Sequence, residues 1–259
     1  MTDKQWELFC AFREEFKLKI VEWHARLENA NIFDELKDLQ RQTADKDGVP
    51  FYELSEPFVY NKSLDDVTQD DEIKLIVIGD NPGKKEQLAE NRRYLVGQSG
   101  IIAENFFKRN GELGIDFRKN VIILNKTPLH TAKTKELTVL AKNLLLRELI
   151  MESQLWCAQS TAKLHCDLLE NGEPRNSVGL WLIGYAELKG RGLFIPYRDE
   201  LLKSYNEHNA WQSVFVYQHF SMNRFLIDLK QNTDESKNLQ ENLRWIGEKH
   251  RLEIFENLS

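Results

Sequence analysis

Four short apolar runs constrain the fold of this chain more than any other feature: KLIVIG (74–79), NVIILN (120–125), VGLWLIG (178–184) and SVFVYQH (213–219). Each is continuous rather than alternating, as a strand covered on both faces requires. Helical patterns lie between them, near 100–110, 136–170 and 199–207. Strands that alternate with helices build a parallel sheet through right-handed crossovers. The expected fold is α/β, a three-layer α/β/α sandwich with a four-stranded parallel sheet.

The flanks complete the layout. Within residues 5–40, Trp6, Phe9, Phe12, Phe16, Ile20 and Trp23 recur at spacings of three and four, the apolar face of one helix. Residues 1–42 are expected as an N-terminal helical extension, and 43–230 as the α/β domain, beginning with a polar, turn-rich stretch over 43–72. A further helix is expected from about Asn223. The stretch QNTDESKNLQEN (231–242) reads as a loop or an exposed helix start, and LRWIGEKHRLEIF as a terminal helix, so 231–259 forms a tail that packs back on the domain.

Composition narrows the function classes. With 41% hydrophobic residues in 259, the chain can build a core, which argues against wholesale disorder. A net charge of -6 argues against a non-specific nucleic-acid coat but leaves room for a local basic groove. Cys10, Cys157 and Cys166 form no CxxC pair, so no disulfide framework is expected and a reduced, intracellular setting fits better. They are also too few for a four-thiolate iron–sulfur cluster. The charged N-terminus lacks the apolar core of a signal peptide, and no run approaches a membrane span. The histidines show no metal-ligand spacing, so neither metal nor cofactor is expected.

In parallel α/β sheets, ligands bind beyond the carboxyl ends of the strands. Those ends carry Gly79-Asp80-Asn81-Pro82-Gly83, Asn125 with Lys126-Thr127-Pro128, Gly184-Tyr185, and His219-Phe220-Ser221. The first loop is not a P-loop, because only three residues separate Gly79 from Gly83 and Lys84 is followed by Lys85. No GxGxxG fingerprint and no nucleophile elbow occur, which disfavours a dinucleotide enzyme and an α/β hydrolase. Read singly, each end has a structural explanation. Asp80 and Asn81 suit an Asx-turn, Asn125 a cap and His219 a strand-closing hydrogen bond.

Read together, GDNPGKKEQ, RRYLVGQSG, VIILNKTP and VYQHFS resemble, in order and at strand ends, the motifs of the uracil-DNA glycosylase superfamily. GDNPGKKEQ is similar to the water-activating motif of the mismatch-specific and thymine-DNA branch. RRYLVGQSG more closely resembles the thermophilic branches, whose cluster cysteines are missing here. Asn125 falls where the family places its pyrimidine-reading asparagine, and His219-Phe220-Ser221 resembles its His-Pro-Ser motif, with Phe220 in the proline's place. Leu95, with Tyr94 beside it, sits nearest the position of the aromatic on which the base stacks. The likeness covers about residues 70–230.

The resemblance implies a monofunctional DNA glycosylase that removes uracil or a related deaminated or mismatched base. Its partner would be DNA carrying that base, extruded from the stack, and the protein would act as a monomer. In that reading His219, Asn81 and Asp80 are catalytic: a neutral histidine stabilises charge on the leaving base, and Asn81, with Asp80 beside it, places the water. Asn125, Gly79, Tyr94 and Leu95 surround the base. The cations Lys84, Lys85, Arg93 and Arg224, with Ser221, contact phosphates. The segment SMNRF is a candidate wedge through Met222 or Phe225, although core packing explains Phe225 equally well. Glu86 matches an acidic family position and equally suits a helix N-terminus. No motif lysine suggests a lyase step. The alternative is a catalytically weak or inactive DNA- or nucleotide-binding protein of the same fold.

Overall fold

The computed structural model describes residues 1–172 and 177–256; the last three residues of the expected C-terminal tail lie outside them. Helices α1 (Asp3–Asn29) and α2 (Phe33–Lys46) open the chain. The sequence predicts one continuous helix over 5–40, but the structure breaks it where Asn31 takes a left-handed φ of 56°. Strand β1 (Leu75–Gly79) follows, then α3 (Gln98–Arg109), β2 (Val121–Asn125) and the single turn α4 (Leu137–Leu140). Helix α5 (Leu144–Glu170) starts at an Asn143 side chain that accepts the Leu146 N–H. The remainder is β3 (Gly179–Ile183), α6 (Ile195–Tyr205), β4 (Val214–Tyr217), α7 (Arg224–Asn232) and α8 (Leu239–Phe255).

The four strands form one parallel sheet in the order β2-β1-β3-β4, with Gly79 opposite Asn125 and Ile78 opposite Leu182. Every residue of β1 and β2 is buried, which explains why their runs are apolar without alternation. Register assigns the two faces. Trp181 meets Phe106 and Phe107 of α3, Trp181 and Tyr217 both meet Phe225 of α7, and Gly247 lets α8 press against Phe215 and Tyr217. On the other face, Leu124 borders a small void with Phe12 and Phe16 of α1 and Trp156 and Cys157 of α5. Helices thus flank both faces, an arrangement compatible with a three-layer α/β/α sandwich. Helix α1 belongs to that second layer, and its Phe9, Phe16 and Trp23 join the same apolar core as the strands.

The strand order reverses at one place. From β1 the chain moves to β2 on one side, then crosses to β3 on the other. The carboxyl ends of β1 and β3 therefore mark the topological switch point, the place where open α/β sheets bind ligands.

Candidate functional site

The loop after β1 is held from several sides. Gly79 must lack a side chain, because a Cβ there would lie 2.5 Å from Asn125 Oδ1. Asp80, only 8% exposed, accepts a hydrogen bond on Oδ1 from Lys126 Nζ at 2.6 Å. Asn81 Nδ2 donates to Thr131 Oγ1 at 2.8 Å and to the Leu129 carbonyl at 3.2 Å. Its amide nitrogen is thus committed to the loop after β2, while among the described residues its Oδ1 accepts no hydrogen bond. His130 completes the stitching: Nδ1–H donates to the Pro82 carbonyl at 2.8 Å and Nε2 accepts from Tyr52 Oη at 2.9 Å. Burial pushes the His130 imidazole down to about 4, so it is neutral at physiological pH.

Glu86 organises the next turn. Its Oε2 accepts the Gly83 N–H at 3.1 Å, and the backbone amides of Leu95, Val96 and Gly97 lie near enough to favour its charged form. It ties the first loop to the residues that cap α3. Burial pushes its carboxyl up to about 7 against the pull of those amides. Leu95 is buried with φ at 51°, and its carbonyl accepts from Arg118 Nη2 at 2.8 Å. Tyr94 is fully buried, with its hydroxyl donating to the Val59 carbonyl. Its ring is part of the core, not of an open stacking surface.

Asn125 closes β2 on the edge shared with Gly79. It is 5% exposed, and its Nδ2 is buried without a hydrogen-bond partner among the described residues. Such an orphan costs about 1–3 kcal/mol and calls for an explanation.

The residues after β4 fix one histidine tautomer. Ser221 donates to His219 Nδ1 twice, from its backbone N–H at 2.9 Å and its hydroxyl at 2.7 Å. A backbone N–H can only donate, so Nδ1 carries no proton and the proton of the neutral ring is on Nε2. Burial lowers the His219 pKa; Asp80 raises it, and Lys126 and Arg224 lower it further. The turn that follows is strained in backbone terms, with Met222 and Asn223 both left-handed at φ of 53° and 57°. Met222 is 68% exposed, while Phe225 is buried against Phe106, Trp181 and Phe220. Of the two wedge candidates, Met222 alone projects from the surface.

The cations divide. Arg93 pairs with Asp66 and Arg92 with Glu56, whereas Lys85 and Arg224 are exposed and Lys84 half-buried. Sequence reading missed Lys126, the only fully buried lysine among the described residues. A lysine following a strand end reads as a solvated charge, and only the fold shows what surrounds it. Among the described residues, no group of three or more His, Cys, Asp or Glu could hold a metal, and no helix is long and apolar enough to cross a membrane.

Two large cavities lie away from these loops. One, of about 520 Å³, opens at the amino ends of the strands between Lys74, Trp181, Phe215 and Arg244. The other, of about 560 Å³, lies between α1 and α5 beside Lys19, Met151 and Trp156. Volume favours them, but neither gathers unpaired buried polar groups. Comparison of the chain with protein-family models, curated proteins and solved structures found no match.

Proposed function

We propose that this protein is a monofunctional DNA glycosylase that hydrolyses the N-glycosidic bond of uracil or a related deaminated or mismatched base. The observation that carries the reading is the His219 tautomer. With Nδ1 held as an acceptor by Ser221, the ring offers a single neutral N–H donor, Nε2–H, at the carboxyl edge of the sheet. A departing base gathers negative charge on the carbonyl oxygen beside the breaking bond, and a preorganised donor lowers that barrier.

The other groups fit the remaining tasks. Asn81, with its amide nitrogen anchored, has Oδ1 left to orient a water toward the sugar. The Asp80 carboxylate favours the oxocarbenium-like sugar electrostatically. Water adds to the sugar carbon, the base leaves with the bonding electrons, and the water's proton passes to solvent. Asn125 brings a buried amide donor with no partner, which a base carbonyl would satisfy. Because that amide is covered, the loops part to admit the base, and exposed Met222 enters the duplex as it leaves the stack.

One observation favours the alternative, a same-fold protein that binds DNA or a nucleotide without cleaving it. The Tyr94 ring lies in the core, and Leu95 beside it offers no aromatic face. Oligonucleotides carrying uracil, hypoxanthine, xanthine or mismatched thymine separate the two. The glycosylase reading expects alkali-labile abasic sites in at least one; binding to all four with abasic sites in none would replace it with the alternative.

A further inference from the structure

We propose that Lys126 is a positioning residue of this site: its buried ammonium bridges the carboxyl ends of β1 and β3 and, by holding Asp80, offsets the negative charge that bears on His219. The reaction it would serve rests on the glycosylase reading, whereas the clamp on Asp80 stands on the geometry.

Lys126 leaves the end of edge strand β2 and reaches across β1 to β3. Its Nζ donates to Asp80 Oδ1 at 2.6 Å, to the Gly79 carbonyl at 3.3 Å and to the Ile183 carbonyl. An ammonium has three protons, and each has one acceptor here. The two carbonyls are the last of β1 and β3, the strands that flank the switch point. The Phe194 ring lies 5.0 Å from Nζ and completes the enclosure. With no exposed surface and every proton engaged, Lys126 is placed to hold a neighbour and not to attack a sugar.

Asp80 is clamped from the other side as well. Gly184 has φ of 100°, and a Cβ there would lie 2.5 Å from Asp80 Oδ1. Lys126 and the bare Gly184 backbone therefore fix the carboxylate, and among the described residues Oδ2 takes no hydrogen bond. The charged groups that bear on His219 come from three elements: Asp80 from the β1 loop, Lys126 from the β2 loop and Arg224 from α7. Asp80 alone among them favours imidazolium. Lys126 offsets it at 2.6 Å. Without that offset the balance at His219 shifts toward a proton on Nδ1, which faces the Ser221 N–H, and protonation there would cost that hydrogen bond.

The test is the His219 titration in the full chain, read by NMR of nitrogen-labelled histidine and assigned by the signal missing from His219→Gln. Lys126→Met is expected to raise the His219 pKa by about one pH unit or more, and Asp80→Asn to lower it. The double variant should lie between them. If Lys126→Met alone does not fold, the double variant must still titrate above Asp80→Asn. The same His219 pKa in all variants, or a fall on loss of Lys126, overturns the proposal. No substrate enters this measurement, so a failure of the glycosylase reading leaves it intact. Where excision is observed, the acid limb of kcat/KM in Lys126→Met should move to higher pH by the same amount.

Discussion

The two edges of the sheet differ in how their polar groups are satisfied. At the amino edge, beside the cavity of about 520 Å³, Lys74 pairs with Glu72 and donates to the Gly114 carbonyl, and Arg244 pairs with Glu248. These charges are partly exposed and matched to one another. At the carboxyl edge Lys126 and Asp80 are buried as a pair, the Asn125 amide is buried without a partner, and His219 is locked in one tautomer. Burying such groups is expensive, whereas a cleft open to solvent leaves its polar groups hydrated. The edge where the fold bears that cost is the one with a reason to bear it. Open volume marks where a molecule could fit, and orphaned or pinned polar groups mark where chemistry is prepared.

Stability should separate the two edges most strongly. Lys126→Met leaves a buried carboxylate unpaired and should destabilise the protein by about 3–5 kcal/mol in urea unfolding. Adding Asp80→Asn should restore much of that. Lys74→Met at the amino edge should stay within about 0.5 kcal/mol. Equal costs at the two edges would erase the distinction.

Acid tests the two edges from a different side, because each has a histidine that burial keeps neutral. His130 joins Pro82 at the carboxyl edge, and His165 joins the Val178 carbonyl, where β3 begins. Burial holds both near 4 against an ordinary value of 6.5. A depressed folded-state pKa gives stability that is present above pH 6.5 and lost as pH falls through about 4, about 3 kcal/mol for each ring. Glu86, raised from 4.5 to about 7, acts in the opposite sense: its contribution is present below pH 4.5 and lost as pH rises through about 7. Two histidines outweigh one carboxyl, so chemical-denaturation midpoints should fall between pH 6.5 and 4. His165→Gln should flatten that fall, and a profile unchanged by the substitution would contradict the assignment.

Smaller effects concern recognition. Asn125→Asp removes the amide donor and presents two acceptors, so preference should shift from uracil toward cytosine by about tenfold in relative single-turnover rate. Met222→Ala should change stability by less than about 0.5 kcal/mol. It should slow excision from duplex DNA by a few-fold while leaving single-stranded substrate unaffected, which checks the wedge role.

Much of the fold is legible in the sequence because burial on two faces leaves a strong mark. The run 74–79 contains β1 at Leu75–Gly79, and 120–125 contains β2 at Val121–Asn125. The terminal helix is legible too, but its start at Leu239 lies inside the polar stretch, set by a capping box between Asn238 and Glu241. The break after α1 is not, although Asn31 is a residue type that tolerates left-handed geometry. At the site, strand ends locate Asp80, Asn81, Asn125 and His219, because a parallel sheet brings its carboxyl ends to one edge. From sequence Tyr94 is available for stacking, and only the Val59 carbonyl that holds its hydroxyl shows it turned inward. Lys126 leaves no signal, since its acceptors come from residues 79, 80 and 183, which only the folded sheet brings together.

The most direct test of the carboxyl edge as a catalytic site is single-turnover excision on a uracil-containing oligonucleotide by wild type and His219→Ala. The glycosylase reading predicts a measurable wild-type rate that falls by about a hundredfold or more without Nε2–H, the scale for losing one preorganised donor. Oligonucleotide affinity should change little, because the interaction belongs to the transition state. A wild-type protein that releases no base, or a His219→Ala variant that releases it at the wild-type rate, would contradict it.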